Sequence, residues 1–210
     1  MTPLVADTTN FPILGEPLPV ELANTLYSHA TGVIDFFATP ELIAAWFEQA
    51  PAASPLALPR RFTYAQSEAV RDLRDAAHVI LSNVVANDGV IARTQVATLN
   101  RYAARASFRP RLEWDDAVGP RSMTVYAGDR FDVFAAQLAA ECIMFLCGPS
   151  SGSVRRCAHP DCEMFFVQHH RTRRFCHESC AHRARQARYY VASAHERRGS
   201  PARHSAAGAS

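Results

Sequence analysis

Between residues 64 and 85 apolar side chains recur at steps of three and four, through Ala69, Leu73, Ala76, Ala77, Ile80 and Val84. Arg71, Arg74, Asp75 and His78 fall between them, the signature of an amphipathic helix. Residues 131–146 repeat the pattern, with Phe131, Phe134, Leu138, Cys142 and Phe145 on one side. The run Gly-Pro-Ser-Ser-Gly-Ser at 148–153 stops that helix and marks a candidate domain boundary. Shorter helices are expected over 20–28, with Leu22, Leu26 and Tyr27 apolar, and over 94–106. Another starts at Pro40, capped by Thr39 and carrying Leu42, Ile43, Trp46 and Phe47 on its apolar face. Residues 33–37 read as a strand, and 111–114 and 122–126 as a hairpin turned at Gly119-Pro120. Prolines make 1–19 and 51–59 irregular, and residues 199–210 read as a disordered tail.

Composition adds little until charge is divided along the chain. With 210 residues, 48% hydrophobic and 20% charged, the sequence is that of an ordinary globular protein rather than a disordered one. It has no apolar run approaching the roughly 20 residues of a membrane helix, and the first twenty residues contain no Lys or Arg. A cytoplasmic, soluble protein without membrane contact is expected. Residues 1–150 hold 11 arginines against 16 acidic residues, a net of −5; residues 151–210 hold 11 against 4, a net of +7. A basic module therefore follows a mildly acidic one. Lysine is absent, so every basic side chain is a planar guanidinium able to grip phosphate or guanine in a bidentate way.

The basic part also holds Cys157, Cys162, Cys176 and Cys180, two close pairs separated by a thirteen-residue spacer. Structural zinc takes four soft ligands in that arrangement. The Pro and Asp before Cys162 suit a tight turn, and Cys176 and Cys180, at i and i+4, suit one face of a helix's first turn. Phe165, Phe166 and Val167 read as a strand, with residues 173–175 as its returning partner. Two disulfides would use the same residues but are disfavoured in a reducing compartment. His159, His169, His170, His177 and His182 are rival ligands, which leaves the ligand set open. Cys142 and Cys147 share the same spacing, but lie on the apolar helix and are expected in the core. On a helical projection from Cys176, Arg183 lies at the edge of the inward sector, where it can answer the negative charge of a metal site. His182, Arg185 and Arg188 face outward.

Arg155-Arg-Cys157, Phe165-Phe-Val167, Arg173-Arg-Phe-Cys176 and Cys180-Ala-His-Arg183 together resemble the CGNR-type zinc finger. Leu22-Ala-Asn-Thr25, the stretch from Val33 to Pro40, and Leu42 to Trp46 are similar to the opening of the ABATE domain that accompanies it. The resemblance implies a bacterial, stress-associated transcription regulator that binds structural Zn2+ and double-stranded DNA. Ala181 and His182 stand where the signature has Gly and Asn, so a base contact made by that Asn does not carry over.

The expected architecture is α+β: a mainly helical ABATE-like domain at 1–149 with a small hairpin, then a treble-clef-like zinc finger at 153–198 ending in a helix. Arg155, Arg156, Arg171, Arg173, Arg174, Arg185 and Arg188 would form the electrostatic footprint on nucleic acid. His182 and Arg185 are the candidates for base contacts in the major groove. The N-terminal domain is expected to sense a small-molecule effector or to form a homodimer, with Asn24, Thr25, Asp35 and Trp46 as pocket candidates. A zinc-stapled module that docks a protein without touching nucleic acid is the alternative. Nucleophile-elbow, Walker and dinucleotide motifs are lacking, and four thiolates leave zinc no open position, so no enzyme is expected.

Overall fold

A computed structural model describes residues 4–5, 11–29, 32–50, 56–87, 89–90 and 92–199. Of the expected tail at 199–210 only Gly199 is described, as the last residue of the C-terminal helix; residues 200–210 and the first part of the proline-rich stretch, 51–55, lie outside the described residues. The elements are α+β, as the sequence leads one to expect. No helix among the described residues is long and apolar enough to cross a membrane.

The chain opens with strand β1 (Leu4–Val5), helix α1 (Leu18–Ala23) and strands β2 (Leu26–His29) and β3 (Gly32–Asp35). β3 is central in this sheet, antiparallel to β2 and parallel to β1. The single helix expected over 20–28 is therefore wrong in its second half. Leu22 and Leu26 mimic an i, i+4 pair, but the Thr25 hydroxyl donates to the Leu22 carbonyl (2.7 Å) and ends the helix, and β2 follows. Helix α2 (Pro40–Phe47) starts where its signals place it, with Pro40 in the first turn and Thr39 accepting the Leu42 N–H.

Helix α3 (Tyr64–Ala86) is opened by a reciprocal capping box between Thr63 and Gln66 and closed by Asn87 in the left-handed conformation. Helices α4 (Arg93–Ala103) and α5 (Arg130–Cys147) pack on it. Asp129 caps α5 by accepting the N–H groups of Phe131 and Asp132. The core between these helices is aromatic: Trp46 meets Phe37 and Phe47 edge-on, and Phe47 meets Phe134 in the same way. Cys142 is buried in this core, and desolvation pushes its thiol up to about 12. Cys147, expected there too, is instead exposed at the end of α5. Arg74 departs from its expected polar face. It is buried, paired with Asp35 and Asp75, and its guanidinium sits over the Phe37 ring.

Between α4 and α5 the chain forms a long hairpin of β4 (Ser107–Asp115) and β5 (Gly119–Ala127), paired in register along both strands. It is twice the length the alternation suggests, it turns at residues 116–118 and not at Gly119-Pro120, which are paired in β5, and no residue of either strand is buried. After α5 a 3-10 turn (Ser151–Ser153) leads into β6 (Val154–Arg156), which pairs antiparallel with β7 (Phe165–Val167). The expected partner of β7, residues 173–175, is a loop instead; a three-residue strand such as β6 is too short to show a period. Helix α6 (Glu178–Gly199) ends the described chain.

Candidate metal centre

The turn between β6 and β7 is a knuckle. The Cys157 N–H donates to the Met164 carbonyl (2.9 Å), and the Cys162 N–H donates to the His159 carbonyl (3.0 Å), so both sulfurs turn inward. The Ala158 N–H donates to the Arg174 carbonyl (2.9 Å), tying the knuckle to the loop that carries Cys176. Cys176 precedes α6 by two residues, and only Cys180 lies in its first turn. The four sulfurs are buried and lie within 4.8 Å of one another. Cys162 and Cys176 sulfurs are 3.7 Å apart, and those of Cys176 and Cys180 3.8 Å. A regular tetrahedron with zinc–sulfur bonds of about 2.3 Å has edges of about 3.8 Å, so the donor set fits zinc in both chemistry and size. These separations are those of metal ligands and not the roughly 2.0 Å of a disulfide.

The thiols compete for protons at this spacing. Hydrogen bonds from Cys162, then Cys176, hold Cys157 well below the usual thiol range. The same bond to Cys157 pushes Cys162 up to about 12 and raises Cys176 further. A divalent cation resolves that competition by holding all four as thiolates. Arg183 Nη2 donates to the Cys180 sulfur (3.1 Å), which offsets part of the resulting negative charge. None of the rival histidines joins the sulfur group. His159 Nδ1 accepts the Asp161 N–H inside the knuckle, and His177 Nδ1 accepts the Ser179 N–H at the start of α6. His169, His170 and His182 are exposed.

The matches to known families agree with this geometry. Residues 153–192 match the CGNR zinc finger, and residues 16–149 match ABATE, described as a putative stress-induced transcription regulator. The chain belongs to the ABATE family. Zinc is accordingly the cofactor of its finger, and the four sulfurs are the group placed to hold it. A search of the curated proteins finds no match.

The finger of this ABATE protein is docked on the helical part rather than tethered to it. Val154, Phe165 and Val167 share one apolar cluster with Val20, Ala23 and Leu81. Asn24 reads the β7 backbone twice: its amide nitrogen donates to the Phe165 carbonyl (3.0 Å), and its oxygen accepts the Phe165 N–H (2.8 Å). Glu16 accepts the Val167 N–H (2.9 Å) and pairs with Arg173 (2.7 Å). Tyr27 packs beside the cysteines and donates to the Asp161 carbonyl (3.0 Å). Sequence reasoning missed Glu16 and Tyr27, because their partners lie more than a hundred positions away.

Two sets of candidate residues are engaged in contacts of their own. Arg173 is no free phosphate ligand: its guanidinium also donates to the carbonyls of Val167 and Cys176 and stacks over Phe166. Asn24, Thr25, Asp35 and Trp46 each make a contact that holds the fold together. Asn24 holds the finger, Thr25 ends α1, Asp35 binds Arg74 and the Phe37 N–H, and Trp46 fills the aromatic core. Arg171, Arg174, His182, Arg185 and Arg188 remain exposed, and Arg174 and Arg185 line one cleft of about 530 Å³ beside the start of α6.

Beneath this docking surface lies Glu21, whose Oε1 accepts the N–H groups of Leu14 and Glu16, each at 2.7 Å. Burial pushes its pKa up to about 7 from an ordinary 4.5 in spite of those bonds. The folded chain thus keeps a proton that the unfolded chain releases, and this contribution to stability is lost as pH rises from about 4.5 to about 7. Glu21→Gln keeps an acceptor without the charge. The difference in melting temperature between wild type and variant, measured from pH 5 to pH 8, is expected to move in the variant's favour; a constant difference would refute the assignment.

Proposed function

We propose that this chain is a zinc-dependent DNA-binding regulator, with Cys157, Cys162, Cys176 and Cys180 as the ligands of a structural zinc. The finger presents Arg171, Arg174, Arg185 and Arg188 to duplex DNA, with His182 and Arg185 nearest the base edges. The observation that carries this reading is a division of labour among the arginines. Arg173 and Arg183 are spent on the docking surface and on a sulfur, Arg155 donates to the Gly152 and Val154 carbonyls and Arg156 to the Ser82 hydroxyl, while Arg171, Arg174, Arg185 and Arg188 stay exposed on a module carrying a net positive charge. Guanidinium groups on a metal-fixed scaffold displace counterions from phosphates at little further ordering cost. Zinc's part is to hold the knuckle, the loop of Cys176 and the first turn of α6 in one arrangement; it takes no part in chemistry.

Because the finger shares a core with the helical domain, an effector bound to that domain has a direct route to it. A hollow of about 730 Å³ between the end of α3, the start of α4 and the turn before β6, lined by Val84, Val96, Gly152 and Arg155 among others, is where we place such an effector. The Arg185→Ala, Arg188→Ala double variant tests the DNA reading. Each lost phosphate contact reduces the slope of log affinity against log salt by about one, so duplex binding should weaken roughly tenfold or more with a slope shallower by about two. Binding unaffected by salt and by both changes would leave the finger as a protein-docking module.

A further inference from the structure

The β4–β5 hairpin has an outer face with nothing against it. Pairing of Phe108 with Tyr126, Leu112 with Ser122 and Trp114 with Pro120 places these residues, together with Pro110, on one side of the ribbon. Phe108 is 70% exposed, Leu112 71% and Trp114 71%, and the Phe108 and Tyr126 rings approach each other at 6.2 Å across the strands. A two-stranded ribbon is marginal on its own in water, and single copies of soluble proteins seldom leave such an apolar strip uncovered. Arg109, Arg111 and Glu113 project from the opposite side.

From this we infer that the hairpin is the arm through which two copies of the chain associate, apolar face on apolar face. The area of the strip fits a second copy, and the charge along the ribbon fits an antiparallel arrangement of the two. The half of the ribbon near the helices, residues 107–111 and 123–127, carries Arg109 and Arg111 and no acidic residue. The tip half, residues 112–122, carries Glu113, Asp115 and Asp116 against Arg121 alone. A two-fold axis through the middle of the ladder sets each acidic tip on the basic half of its mate. The strand charges project from the outer faces of such a pair, farther apart than the sheet spacing of about 10 Å, so they bias the direction in which the ribbons cross and not the strength of the contact. The Asp115–Arg121 pair (3.3 Å) and the Arg111–Glu113 pair (3.6 Å) inside the ribbon are exposed and weak enough not to oppose this. The ribbon's zero net charge speaks against a nucleic-acid arm.

Area agrees with a modest dimer. The face presents on the order of 600 Å² per copy, about 1,200 Å² for a pair, the lower bound of specific interfaces. This inference does not depend on DNA binding, and its test contains no DNA in the first arm. Sedimentation equilibrium of the zinc-loaded full chain should show a concentration-dependent mass approaching twice 23.1 kDa. Leu112→Glu with Trp114→Glu should raise the dimer dissociation constant about a hundredfold. Circular dichroism and zinc content verify that the variant is folded. Should it not fold, Leu112→Cys combined with Cys147→Ser, which removes the exposed native thiol, supplies a second reading: a disulfide between copies under mild oxidation supports the arm, and its absence overturns it. The inference also fails if the wild type stays monomeric up to about 100 µM, or if the glutamate variant dimerises as before. In a second arm with duplex DNA added, a monomer whose DNA affinity falls with the glutamates would reassign the face to nucleic acid.

Discussion

Stripping zinc from the full chain with a strong chelator should unfold the finger and lower the melting temperature of the helical part as well. Metal content is expected to fall from one ion per chain to none, and the Cys162→Ala variant should behave as the chelated wild type does. Structural zinc sites contribute on the order of 10 kcal/mol of apparent binding energy, which for small modules is folding energy. Without it four crowded thiols remain, competing for protons in a buried site. The loss spreads because Phe165 and Val167 cover Val20, Ala23 and Leu81, and a frayed β7 returns that apolar surface to water. Calorimetry with and without chelator checks it. A metal-free, reduced protein that melts at the original temperature would contradict both the ligand assignment and the coupling.

Asn24→Ala should produce the next largest loss, although Asn24 is far from the metal in sequence and touches no cysteine. Its side chain satisfies both backbone groups of Phe165 in a buried position, and alanine leaves a donor and an acceptor unpaired. At 1–3 kcal/mol for each unsatisfied buried group, the expected loss is about 3 kcal/mol, or roughly 6–12 °C in a chain of this size. Asn24→Asp keeps the shape but cannot donate to the Phe165 carbonyl, and it should be at least as harmful. Zinc content should persist in both variants, because the knuckle's own hydrogen bonds are untouched. Chemical denaturation followed by far-ultraviolet dichroism measures the loss; a change under about 0.5 kcal/mol would show that Asn24 is incidental.

Those two results also mark what the sequence could and could not reveal. Periodicity located α3 and α5 because their apolar stripes are long, and Thr39 and Pro40 carry cap chemistry that works locally. The cysteine spacing foretold the sulfur cluster for the same reason, since a knuckle and a helix start are local structures. β2 and β6 were not legible. One borrows the spacing of a helix, and the other has three residues and takes its order from β7. Least legible were the polar clasps: Glu16 and Asn24 meet β7 across 151 and 141 positions, so nothing local distinguishes them from surface residues. Arg173 shows the same limit from the other side. In sequence it is one arginine among many, and only its four partners set it apart.

The placement of β7 has a consequence for engineering. Excised at residue 153, the finger would lose Glu16 and Asn24 from its strand and the hydrocarbon floor beneath Phe165 and Val167. It is therefore no portable cassette: a graft onto a foreign scaffold needs the segment around α1 to travel with it.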